Sequence, residues 1–224
     1  MEYLVIDVGG TAIKYACMNE NAEFLERGEI PTPMDSLDSY LAALGTIIHR
    51  YGHNVEGIAM CVPGIIDSVQ GVCITGGNLR YVKDLPLATL LEERYGLRVS
   101  LENDARCAAL AELWRGSLKN CADGVVIVLG SAVGGALVKN GSIHKGSHFF
   151  SRRDQFYRKR WGHFRHLQLG RVSKWRSIAV QAGGATNGDS GGRAGRYTDL
   201  RDGESRGCLA CWKRLTVSPK VWHG

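Results

Sequence analysis

No apolar run in this 224-residue chain is long enough to cross a bilayer, and no signal peptide opens it. Those two absences set aside the membrane-spanning and secreted classes, so the seven cysteines read as belonging to a reducing cytoplasm. Cys17, Cys61, Cys73 and Cys107 lie in apolar stretches and are most simply buried thiols. Cys208-Leu209-Ala210-Cys211 has the spacing of half a zinc site, but a second ligand pair is lacking.

Acidic residues are scarce in one part of the chain. Residues 151–224 carry 16 Lys+Arg against 5 Asp+Glu, whereas residues 1–150 carry 12 against 17. The overall charge of +6 hides this split. The last third also lacks long apolar runs, holds four of the five tryptophans, and is rich in glycine and arginine from Gly183 to Gly207. Most of it has no helical or strand periodicity. A foldable first part is joined to something of another character.

In the first part, Tyr3–Asp7, Ile13–Met18 and Phe24–Ile30 read as a strand meander that Pro31 and Pro33 end. Ser36 caps a helix with Leu37, Leu41, Leu44 and Ile48 on one face. Gly57–Val62 and Gly71–Thr75 are strands. Asp84, just ahead of Pro86, suits the start of a helix with Leu87, Leu90 and Leu91 on its apolar face, and Gly96 stops it. Leu97–Glu102 is a strand that leads into the helix Ala105–Trp114. Gly124–Leu129 and Gly135–Val138 are strands around a second glycine turn, and Lys139-Asn140-Gly141 is a hairpin turn.

The richest stretch is Asp7-Val8-Gly9-Gly10-Thr11-Ala12-Ile13-Lys14. Its glycines let backbone N–H groups approach an anion. Thr11 adds a hydroxyl, Lys14 a cation, and Asp7 a carboxylate suited to a magnesium ion. An ordinary Gly-Gly hairpin is the competing reading. Asn103-Asp104 stands at a strand end, where α/β sheets meet ligands. Asp104 suits a helix cap, a catalytic base, or both. Asn78 can equally close the Gly76-Gly77 turn or bind a hydroxyl pair.

Taken in order, Asp7–Lys14, Cys61-Val62-Pro63-Gly64 with Gly76-Gly77-Asn78-Leu79, Glu102-Asn103-Asp104-Ala105, and Gly130-Ser131-Ala132-Val133-Gly134-Gly135 resemble the ROK family of sugar kinases and repressors. The resemblance covers Met1 to about Phe150. It implies an α/β actin-like ATPase (ribonuclease H-like) fold with the first lobe complete and the second truncated. Residues 1–118 would form the N-terminal lobe and residues 119–150 the start of the second ATPase lobe. It implies transfer of the ATP γ-phosphate to a hydroxyl of a hexose or glucoside, with Mg2+, in the cytoplasm. Asp104 would be the base, and Gly64, Asn78 and Asn103 would bind sugar. Asp7, Gly9, Gly10, Thr11, Lys14, Gly130, Ser131 and Gly134 would hold the nucleotide, with Asp7 on the metal. Ser131 replaces the usual threonine, and Ala132 stands where the family has glycine. The resemblance allows a homodimer and implies no membrane partner. A sugar-responsive regulator of the same family is the alternative, though such proteins carry an N-terminal winged helix-turn-helix and this chain starts at the phosphate strand.

After Phe150 the family's sugar-gripping Gly-Glu is missing. Ser151 to Arg158 can be back-translated as AGC AGG CGA GAT CAG TTT TAT CGT. Read one base later, that gives Ala-Gly-Glu-Ile-Ser-Phe-Ile, the strand the family places there. The expectation is that residues 151–224 are an out-of-frame, poorly ordered basic tail, and that the chain as written is an inactive kinase. A nucleic-acid arm is the functional rival, since Arg152, Arg153, Arg158, Lys159, Arg160 and Arg165 interleave with Phe156, Tyr157 and Trp161. An ordinary divergent lobe is the third reading. An out-of-frame tail would bind nucleic acid only non-specifically.

Overall fold

All six residues of β4 (Gly57–Val62) are buried, as in a parallel strand covered on both faces. In the computed structural model, β4 lies between β1 (Glu2–Val8) and β8 (Arg98–Asn103) and runs parallel to both. β2 (Ala12–Asn19) pairs antiparallel with β1, and β3 (Phe24–Pro31) completes the order β3-β2-β1-β4-β8. β3 is the edge strand, with no buried residue and a proline as its last. The structure describes residues 1–129 and 133–146, and strands at 176–181 and 196–198. They fall into two units, one built on Met1–Cys107 and the other on Ala108–Arg201.

The core of the first unit joins the sheet to two helices. Leu4, Ile6, Ile58, Met60 and Leu101 share it with Tyr40, Leu44 and Ile48 of α1 (Leu37–Tyr51) and with Leu87 and Leu91 of α2 (Leu87–Tyr95). Each such side chain contributes about 1.5–3 kcal/mol through burial. The Ser36 hydroxyl accepts the Ser39 N–H at 3.1 Å and caps α1 as its sequence predicts. Gly96 ends α2 in the left-handed region, with φ +67°.

Two details of α2 differ from expectation. Leu90 is 38% exposed, so the buried face is Leu87, Ala88 and Leu91. The helix starts after Pro86, while Asp84 belongs to β7 (Leu79–Leu85) with φ +47°. β7 forms a small antiparallel sheet with β5 (Ile65–Asp67) and β6 (Val72–Gly76). The sequence shows neither β5 nor β7. β5 is only three residues long, and the buried residues of β7 are Leu79, Val82 and Leu85, spaced by three rather than two. Cys17, Cys73 and Cys107 are buried and outside any disulfide, as expected. Cys61 corrects the reading as a thiol: it is disulfide-bonded.

α3 (Asp104–Arg115) begins in the first unit and runs into the second. There β9 (Gly124–Leu129), β10 (Val133–Lys139), β11 (Ser142–His144), β12 (Arg176–Gln181) and β13 (Arg196–Thr198) form an antiparallel sheet, β11-β10-β9-β12-β13. Asn140 and Gly141 have φ +52° and +68°, the conformation of a type I′ hairpin turn. β12 and β13 lie in the basic segment. The apolar part of β12, Ile178-Ala179-Val180, is too short to register as a period in sequence.

Candidate functional site

The three parallel strands β1, β4 and β8 end at Val8, Val62 and Asn103. Most of the predicted residues of the first unit gather beyond those ends, the edge at which α/β sheets bind ligands, while Asp7, Lys14 and Asn103 lie on the strands themselves.

Beyond β1, the Gly9 N–H donates to the Ala12 carbonyl at 3.0 Å. A Cβ on Gly9 would stand 2.9 Å from that same oxygen, so the turn itself requires glycine there. Gly10 is different. It is exposed, its φ is not positive, and a Cβ would make only an ordinary 3.6 Å contact with Asn78 Nδ2. The fold tolerates a side chain at position 10, so a glycine there suits close approach of a ligand to the backbone. The same contact puts the Asn78 amide, from the β6–β7 turn, beside the Gly10 turn.

Behind this turn lies Thr32, which is 7% exposed. Its hydroxyl donates to the Gly9 carbonyl at 2.7 Å, and its N–H donates to the Thr11 carbonyl at 3.0 Å. The next residue is anchored too, because the Tyr81 hydroxyl donates to the Pro33 carbonyl at 2.5 Å. Burial pushes the Tyr81 phenol above its ordinary value, which keeps it a donor.

Beyond β4 the chain turns through Gly64 at φ +105°. A Cβ there would lie 1.9 Å from the Thr75 carbonyl oxygen and 2.8 Å from the Gly77 nitrogen. Asn103 links the end of β8 to the turn after β4. Its Nδ2 donates to the Gly64 carbonyl at 2.9 Å, and its Oδ1 accepts the N–H of Ala105 at 3.1 Å and of Arg106 at 3.4 Å. Asn103 is therefore the side-chain cap of α3. Asp104 is the first helical residue, half-buried, with Oδ1 2.8 Å from the Ala105 N–H. Capping of α3 is shared with Asn103 and does not rest on Asp104 alone.

Beneath Asn103 lies a buried ion pair. Glu102 accepts the Asn103 N–H at 2.9 Å and the Arg106 guanidinium at 3.2 Å, and the same Arg106 nitrogen donates to the Ile66 carbonyl at 3.4 Å. On β1, Asp7 stands directly across from Lys14 of β2 and level with Cys61 of β4, which is level with Glu102 of β8. A row Lys14–Asp7–Cys61–Glu102 thus crosses the sheet just below the strand ends. No group of three or more His, Cys, Asp or Glu side chains suited to a metal occurs among the described residues. A single carboxylate such as Asp7 is enough for Mg2+, which takes its remaining ligands from substrate phosphates and water.

Gly130 and Ser131 lie outside the described residues. Gly134 lies in β10 of the second unit, opposite Val128. Sequence reasoning missed Thr32 and Arg106, and met Gly77 and Glu102 only as members of the motifs around Asn78 and Asn103. The i,i+4 spacing of Glu102 and Arg106 is a local signal for their pairing. Thr32 reaches across 23 positions to Gly9 and has no such signal.

The ROK family profile matches residues 3–152. The chain is 35% identical over 147 residues to an N-acetyl-D-glucosamine kinase of Vibrio cholerae, covering 64% of this chain and 48% of that one. It is 34% identical over 149 residues to a beta-glucoside kinase of Klebsiella pneumoniae, covering 66% and 50%. A Streptomyces griseus ROK family glucokinase, solved with glucose and AMPPNP, superposes with a TM-score of 0.61 at 25% identity, covering 67% and 48%. The chain spans about half the length of the curated relatives it matches.

Proposed function

The chain belongs to the ROK family, and from that premise we propose that residues 1–150 carry the phosphate turn and catalytic carboxylate of an ATP-dependent kinase for a hexose or glucoside. The observation that carries this reading is the convergence at one sheet edge. Asn78 meets Gly10, Asn103 meets Gly64, and Asp104 follows at the head of α3.

The roles follow from the donors and acceptors. Gly9, Gly10 and Thr11 would cradle the phosphates of ATP, and Gly130, Ser131 and Gly134 are read as a second phosphate turn. Lys14 would offset their charge, and Asp7 would hold a magnesium ion, which would supply further neutralisation of phosphate charge. Gly64, Asn78 and Asn103 orient the sugar. The sugar hydroxyl oxygen attacks the γ-phosphorus and its proton passes to Asp104. The bond from phosphorus to the bridging oxygen breaks, and ADP leaves. In a loose transition state the base mainly orients the hydroxyl and accepts its proton late. General-base assistance is worth about 10²–10⁴-fold.

Residues 151–224 are read as out of frame, and the family match ending at residue 152 supports this. On that account the 224-residue chain lacks the sugar-gripping Gly-Glu and is inactive, in the cytoplasm as elsewhere. The test has two arms. The coding DNA after Phe150 is read in all three frames, and the chain and a frame-restored protein are assayed for ATP-dependent phosphorylation over a panel of hexoses, N-acetylhexosamines and β-glucosides. Activity only after restoration is the expected result. A restored protein that phosphorylates none of the panel overturns the kinase reading.

A further inference from the structure

We propose that Thr32 is a positioning residue that sets the phosphate-binding face of the Gly9–Ala12 turn. The inference rests on the kinase reading, and it concerns how that turn comes to face an anion.

In a trans peptide the C=O of one residue and the N–H of the next point in opposite directions. The Thr32 hydroxyl holds the Gly9 carbonyl, and the Thr32 N–H holds the Thr11 carbonyl. Both carbonyl oxygens are thereby drawn towards Thr32. The N–H groups of Gly10 and Ala12 are directed the opposite way. An anion is repelled by carbonyl oxygens and held by N–H groups, so this one residue sorts the two kinds of dipole onto opposite sides of the turn. Thr32 is itself fixed, being buried beside Pro33, whose carbonyl accepts the Tyr81 hydroxyl. Since β7 carries Tyr81 and follows the Asn78 turn, the same hairpin steadies Thr32 and places Asn78 beside Gly10. Thr32 touches neither phosphate nor sugar and acts through the backbone of the turn.

The test uses the 224-residue chain and magnesium pyrophosphate as the probe. Backbone amide shifts are followed during titration of the wild type, with the largest changes expected at Gly10 and Ala12. Thr32→Val, which keeps the shape and loses the hydroxyl, should weaken pyrophosphate binding by about tenfold, the scale of one misdirected charge-assisted hydrogen bond. Thr32→Ser should restore it to within about twofold. A merely structural threonine would lower the melting temperature of Thr32→Val without changing the affinity of the folded protein, and that outcome overturns the proposal. Should Thr32→Val fail to fold, the wild-type titration still decides. Pyrophosphate binding that shifts other amides but neither Gly10 nor Ala12 overturns the inference and leaves the kinase reading standing. No pyrophosphate binding by the wild type overturns the phosphate-turn reading, and the inference with it.

Discussion

The side-chain amide of Asn103 donates to the Gly64 carbonyl oxygen at 2.9 Å. This bond ties the end of β8, where the Asp104 carboxylate follows, to a turn that accepts no side chain. The same asparagine caps α3, so the helix start, the strand end and the turn are positioned by one buried group.

Gly64 and Gly10 are predicted to respond oppositely to alanine. At Gly64 the new Cβ meets the Thr75 carbonyl oxygen at 1.9 Å in a positive-φ conformation, and Gly64→Ala should cost about 3 kcal/mol or more. At Gly10 the Cβ has room, and Gly10→Ala should change stability by less than about 0.5 kcal/mol. It should nevertheless weaken magnesium pyrophosphate binding by about tenfold, since only a ligand needs that space. Urea unfolding and calorimetric titration of both variants check the pair. Equal stability losses at the two glycines contradict it.

The sequence displays the first unit well where an apolar run or a helical period is unbroken. β1 and β4 fall within one residue of their expected places because each is a short, nearly continuous apolar run, and α1 starts where expected because its buried residues recur at helical spacing. β7 escapes notice because its buried residues recur every three positions and Asp84 breaks its regularity with φ +47°. Leu90 misleads because an apolar residue at helical spacing need not face the core. Asp7, Gly10, Asn78, Asn103 and Asp104 are visible as motifs. Thr32 is not, since its partners lie 21 and 23 positions away and only the β2–β3 pairing brings them near.

The buried Glu102–Arg106 pair should be far more costly to break than to replace. Its side chains are 5% and 4% exposed, and Arg106 also reaches the Ile66 carbonyl. Arg106→Met leaves the Glu102 carboxylate buried without the guanidinium that faces it and should cost about 3–5 kcal/mol. The double variant Glu102→Leu with Arg106→Met should recover much of that loss. A double-mutant cycle from urea melts reads the coupling, and additive single losses would show that the two side chains act independently.

Cysteine reactivity should follow burial. Burial first, then the charges of Glu2 and Glu26, push the Cys17 thiol up to about 11, and burial pushes Cys73 up to about 12. The thiolate is the reactive form, so at pH 8 both should resist alkylation until the chain unfolds, whereas the partly exposed Cys121 should react in the native protein. The sign for stability follows. Below about pH 8.5, the ordinary thiol value, both states hold these protons. As pH rises from there towards 11–12, the unfolded chain releases them first, so stability falls through that window. The urea midpoint should drop between pH 8 and pH 10.5, and mass mapping after alkylation identifies the protected thiols.

Asp104→Asn separates catalysis from helix capping. Asn103 accepts the N–H groups of Ala105 and Arg106, so α3 keeps a cap when Asp104 changes. The loss of a negative charge at the helix N-terminus should cost only about 0.3–1 kcal/mol. An amide of the same shape still accepts hydrogen bonds but cannot take up the proton of the attacking hydroxyl. In the frame-restored protein, turnover should therefore fall by about 10²-fold or more, while sugar and ATP affinities stay within about threefold. Initial rates and calorimetric titrations on the same preparation check both halves. Retained turnover would reduce Asp104 to a charge at a helix end, and lost sugar affinity would make it a ligand rather than a base.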